Sequence, residues 1–312
     1  MADPILHIKD AYYFEIPKFM WRRDWKSHDE IPEGLAFLKE DHADVPIGEI
    51  NREMSGKVVI PQPFGTLHSL YQAESGFCIS KFMVLEVVAA AIIAFIFIRL
   101  AGLARSSHLP KGRFWNLFES FLVFIRDQIA RPAIGHHDGD KFVPLLWTLF
   151  FFVLVCNLLG MVPWAGSATG SWSVTLALAA VTFLTVIVSG ILKFGPIGFW
   201  LNQVPHMDLP IYMFPIKIGI FFIEVLGLCI KHAVLSIRLL ANMVAGHLVL
   251  LAILGLIVES ANASNGIYAT VSVISVVGST LLSILELFVA FLQAYVFTFL
   301  SALFISAAVH HH

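Results

Sequence analysis

The chain has 312 residues, 58% hydrophobic and 13% charged, with a formal net charge of −2. Soluble domains carry about a quarter charged residues, so this composition predicts a polytopic membrane protein. It shows no basic bias, which argues against nucleic acid as a partner.

Residues 1–82 hold 9 Lys+Arg and 13 Asp+Glu, the mark of a water-exposed N-terminal tail. No charged start, short apolar run and small-residue cleavage site opens the chain, so no cleavable signal peptide is expected. Trp21, Trp25 and the Tyr12-Tyr13-Phe14 cluster suit partial order or an interfacial position, and no fold follows from their pattern. Cys78, Cys156 and Cys229 are odd in number and far apart, reading as small hydrophobes rather than a disulfide framework or a metal site.

Residues 83–309 form the expected membrane domain. The first apolar run is 83–104. The next segment, 112–132, gathers Phe114, Leu117, Phe118, Phe121 and Ile125 on one side, with Glu119, Arg126 and Asp127 elsewhere. That is a helix lying at the surface rather than crossing. A hairpin of two spans follows, about 142–162 and 172–193, joined by the uncharged loop "PWAGSATGS". After the Gly/Pro-rich stretch 195–210 come two longer runs, 211–258 and 266–309. As continuous helices they would be about 72 Å and 66 Å long, against a hydrocarbon core of about 30 Å. The fold expected is all-α: five crossings and one surface amphipathic helix, the last two crossings long and steeply tilted as an antiparallel hairpin. Arg105, Lys111, Arg113, Arg126, Arg131 and Lys141 lie between the first span and the hairpin, and Lys193 and Lys217 after it. The positive-inside rule then puts the N-terminus outside and the C-terminus in the cytoplasm.

Buried polar residues single out the last hairpin. With its turn at Asn262–Gly266, His247 and Glu286 stand nearly equally far from the turn, as do Arg238 and Gln293. Each such pair should therefore lie level. Arg238 and Asn242 share a face, as do Glu286 and Gln293. Arg238 and His247 are nine apart, about 180° around an ideal helix, so a bend near Gly246 or a steep crossing is needed to reconcile the faces. Asn242 and Gln293 could simply bond across to neighbours. Glu224 could pair with Lys231 or Lys217. Arg238 differs: burying it costs about 2.5–3.5 kcal/mol on insertion scales, and it cannot shed its proton.

The segment "SIRLLANMVAGH", 236–247, resembles the signature of the subunit a family of the F-type ATP synthase. "LFVAFLQAYVFTFL", 287–300, looks like the family's second signature, and "CNLLGMVP", 156–163, is similar to its first-hairpin motif. The resemblance covers roughly 83–309. It implies a stator subunit of the membrane motor, with two proton half-channels and an arginine facing the ring of c subunits. Arg238 matches that arginine, Asn242 and Gln293 the polar residues beside it, His247 and Glu286 the histidine and acid of the last two helices, and Glu224 a further carboxylate. The chain departs from the family where a basic residue and a proline often precede the arginine, having Lys231–His232 instead. Further implications are a bacterial plasma (inner) membrane location and c-ring, b-type peripheral stalk and other F1Fo subunits as partners. No catalysis by this chain, no cofactor and no metal are expected. The alternative is a stand-alone secondary transporter with a midplane arginine site.

Overall fold

The computed structural model describes residues 10–32, 35, 45–106, 112–162, 165–202, 214–262 and 264–310. Lys111, the second half of the 195–210 stretch (203–210), and parts of the loops holding Pro163–Trp164 and Ala263 lie outside them. The chain divides into two compact units, one of Met1–Ala91 with Cys156–Ser171, the other of Ile92–Val155 with Trp172–His312.

The first unit contains an ordered head. Strand β1 (Tyr13–Glu15) pairs antiparallel with β2 (Lys57–Val59), Tyr13 opposite Val59. Between them lies helix α1 (Ile47–Met54), which buries Ile50 and Met54. A hairpin of β3 (Gly65–Ser69) and β4 (Gln72–Gly76) follows. Tyr13, Ile31, Leu35, Ile50, Met54, Leu67 and Leu70 form one apolar cluster. Asn51 clamps Trp25 from both sides, accepting from its N–H at 3.1 Å and donating to its carbonyl at 2.8 Å. The hydroxyls of Tyr13 and Tyr71 lie 2.6 Å apart, and burial together with this bond pushes the Tyr13 phenol above its usual range. The head is tied to the first long helix, α2 (Lys81–Ser106), by the Lys81 N–H donating to the Ala11 carbonyl at 2.8 Å.

The second unit is helical. The surface helix is composite: α3 (Arg113–Phe124) runs into a π-helical turn, Ile125–Ala130, and then α4 (Arg131–Ile134). A π turn shifts the helical register. Phe114 and Leu117 remain exposed, whereas Ile125, Ile129 and Ala130 are fully buried. The next helix, α5, spans His136–Gly160, beginning six residues before the apolar run. Its polar start, Asp138 included, suits the positive end of a helix dipole. Trp147 donates to the Leu122 carbonyl at 3.0 Å, and Phe118 stacks on Phe151 with ring centres 5.7 Å apart.

Helix α6 (Trp172–Asn202) breaks at Gly195, whose φ of 77° favours glycine, and Pro196 follows. Beyond the break Phe199 folds back onto Gly190, where a Cβ would collide with its ring. Helices α7 (Phe214–Glu259) and α8 (Asn265–Val309) have 46 and 45 residues and no internal break. At about 1.5 Å per residue both far exceed the hydrocarbon thickness. Among the described residues, five helices are long and apolar enough to cross a membrane. The inner face of α8 carries Ala290, Ala294, Ser301 and Ala302, all buried, and such small residues let membrane helices approach closely.

Candidate ion-translocation site

Helices α7 and α8 carry all six candidate residues. His247 Nδ1 lies 3.0 Å from Glu286 Oε1, with side chains 20% and 10% exposed. This is ion-pair distance without hydrogen-bond alignment, since Glu286 Oε1 accepts no hydrogen bond among the described residues. Asn242 Nδ2 donates to Gln293 Oε1 at 2.8 Å. Gln293 therefore bonds to the residue one turn beyond Arg238 on the same face, rather than to the arginine level with it by count.

Gly246 shows why Glu286 fits. A Cβ there would lie 2.9 Å from Glu286 Oε1 and 3.2 Å from its Cδ, so the carboxylate rests on bare backbone. The chain stays helical through Gly246, and the glycine supplies room where the sequence suggested a bend. The conflict of faces eases for another reason. Asn242 and His247 are five residues apart, about 140° around an ideal helix, less than the half turn separating Arg238 from His247. A cavity of about 210 Å³ adjoins them, lined in part by Asn242, Gly246, Val249 and Glu286. Its volume has room for water, and its polar lining is Asn242 and Glu286 in an otherwise apolar wall.

Arg238 is half-buried and, among the described residues, makes no hydrogen bond or ion pair. Leu235 and Leu239 beside it are buried, while Val234 and Ile237 are exposed. Glu224, fourteen residues earlier, is also half-buried, and neither Lys217 nor Lys231 pairs with it among the described residues. His232 is 4% exposed. It lies between the rings of Phe183 and Phe304, with centres 5.1 and 4.8 Å away, and its Nδ1 is 2.9 Å from the Leu228 carbonyl. Ser236 donates to Thr175 of α6 at 3.1 Å, anchoring the arginine's helix two residues from the charge. Gly246 as a seat for the carboxylate and the Ser236 anchor were missed by sequence reasoning. The glycine adjoining His247 was the available signal; nothing in the sequence linked residues 236 and 175.

The family model of the ATP synthase A chain matches residues 83–306. The chain belongs to that family. Among relatives, "ATP synthase subunit a" of Anaeromyxobacter sp. (strain Fw109-5) is 36% identical, over 98% of this chain and 70% of its own length. "ATP synthase subunit a" of Myxococcus xanthus (strain DK1622) is 40% identical, over 75% of each chain. "ATP synthase subunit a 2" of Chlorobaculum tepidum is 40% identical, over 90% of this chain and 81% of its own. Family membership and five spanning helices make this chain a multi-pass membrane component of an F-type ATP synthase, engaged in proton transport and not itself catalytic. The arginine, the histidine–glutamate pair and the amide pair all fall inside the matched segment.

Proposed function

We propose that the chain is the stator subunit of the membrane motor, supplying two offset proton half-channels and an arginine that faces a c-subunit ring. The observation that supports this reading is Arg238: a fixed charge within a membrane helix, half-buried, without a partner among the described residues. A charge so placed needs a carboxylate or water from outside its own chain. A ring carboxylate must be neutral to face lipid. Near Arg238 it ionises, because an opposite pair at 4 Å attracts by about 4 kcal/mol at an effective dielectric of 20. Arg238 also repels a proton passing straight from one half-channel to the other. Rotation thereby couples uptake to release. Asn242 and Gln293 align the groups at this level, and Glu224 is a further carboxylate of the path.

The turn between α7 and α8 holds no Lys or Arg, and the positive-inside rule for short loops puts it outside. His247 and Glu286 sit nearer that turn than Arg238, so a proton arriving from outside meets them first. The same orientation puts the N-terminus outside and the C-terminus in the cytoplasm of a bacterial plasma membrane. Residues 1–82 are then a water-exposed segment, residues 83–309 the membrane domain, and b-type stalk subunits hold the stator in place. The test is Arg238→Lys in the reconstituted complex. Lysine keeps the charge as a compact, more strongly hydrated group that can deprotonate. The expected result is an assembled complex without ATP-driven proton pumping. Near-normal pumping defeats the reading.

A further inference from the structure

We infer that a groove along α6 binds one anionic phospholipid, its phosphodiester held by Lys141 and Lys193 and an acyl chain laid along the helix. The groove encloses about 720 Å³ and lies within the second unit. Val181, Leu184, Val188 and Leu192 line it at helical spacing on one face of α6, a run of about 17 Å. Thr185 and Ser189 also line it, but their hydroxyls donate to carbonyls of their own helix, to Val181 at 2.8 Å and to Thr185 at 2.6 Å. The long part of the groove thus offers its occupant an apolar wall.

One end is different. Lys193 Nζ lies 2.6 Å and Lys141 Nζ 2.9 Å from the two oxygens of Asp138. Two ammonium groups on one carboxylate leave a net charge of +1. Each ammonium has three donors and spends one on Asp138, so four remain for an anion. Lys193 stands two residues before the Gly195 break, and Asp138 and Lys141 lie in the first two turns of α5. The cations therefore sit where both spans end, and the apolar face runs from there into the bilayer. An exposed apolar helix face in a membrane ordinarily meets bulk lipid. A concave one with two lysines fixed at its boundary end matches an amphiphile with a negative head, as basic sites between membrane helices do. A zwitterionic head would bring its own cation against them.

The inference stands apart from the motor reading, and its test leaves pumping aside. The purified complex is exchanged into detergent containing phosphatidylglycerol or phosphatidylcholine, and native mass spectrometry counts the lipid retained on this subunit. The expected result is retention of phosphatidylglycerol over phosphatidylcholine. Lys141→Gln with Lys193→Gln should weaken that retention about fivefold for each lysine removed. Val188→Trp, which fills the groove and leaves the charges, should also reduce it. Equal retention of both lipids, or an unchanged count in both variants, overturns the inference. So does a cysteine at position 192 that crosslinks efficiently to a neighbouring subunit, since a protein helix would then occupy the groove.

Discussion

The α5–α6 hairpin and the α7–α8 hairpin handle charge in opposite ways. At the base of the first and on the surface helix leading into it, charges are paired: Arg126 and Arg131 with Asp127, Arg131 with Asp140, Lys141 and Lys193 with Asp138. In the second, Arg238 and Glu224 have no partner among the described residues, and Glu286 Oε1 and Gln293 Nε2 are buried without a hydrogen bond. An unpaired polar atom away from water is costly. Paired charges fasten helices. Open ones keep free energy available for something that arrives, here water, a proton or a ring carboxylate. The difference separates scaffold from working part.

Breaking the open hairpin at its centre should give the largest effect. Arg238→Ala removes both the attraction that ionises the ring carboxylate and the barrier to direct passage. Pumping should fall on the order of a hundredfold or more, given an attraction of about 4 kcal/mol, and passive proton flux under an imposed gradient should rise. A tight membrane sector in this variant would mean that something else separates the half-channels. Glu286→Gln should act more weakly and with the opposite sign on the leak. Flux should slow about tenfold, within the range of losing one acid–base group, without any leak. Unchanged flux would make Glu286 only a structural partner of His247. Gly246→Ala should slow flux less, by pushing the carboxylate off its seat.

How much of this could be read beforehand depends on distance along the chain. The long helices were visible as apolar runs, and the level of His247 with Glu286 followed from counting back from one turn. Gln293 was harder. Count alone set it level with Arg238, yet its oxygen is bonded to Asn242, because a hydrogen bond depends on side-chain reach and rotamer as well as axial level. The head was hidden for another reason. Its strands have three to five residues, and Tyr13 pairs with Val59 across a long interval. Periodicity over so short a segment carries no signal. The π turn at Ile125–Ala130 was hidden as well, since it moves residues between faces without changing composition.

The register of the open hairpin can be sharpened directly. In a background lacking Cys78, Cys156 and Cys229, cysteines at 247 and 286 should crosslink readily, as the side chains they replace touch. Cysteines at 238 and 286 should not, being about 10 Å apart along the axis by count. Equal crosslinking of both pairs would mean that the hairpin slides.

The smallest effect should come from the paired region, and its pH dependence gives the contrast its sign. Arg126 donates two hydrogen bonds to Asp127, at 2.9 and 3.1 Å, and Arg131 adds one at 2.9 Å. The Arg126 bonds foremost hold the Asp127 carboxyl below the usual carboxylate range. A carboxyl with a depressed folded value stabilises the fold fully above its unfolded value, about 3.9, and loses that contribution as pH falls through the folded one. Between pH 5 and 8 the contribution is therefore constant. Asp127→Asn should lower the thermal stability of the solubilised complex slightly, because exposed ion pairs contribute little. The gap should be equal at pH 5 and pH 8 and close only below about pH 4. Pumping should be unaffected, since this charge is already satisfied within its own chain. A gap that changes between pH 5 and 8, or a loss of pumping at unchanged stability, would place Asp127 with the open charges of α7 and α8 and erase the distinction between the two hairpins.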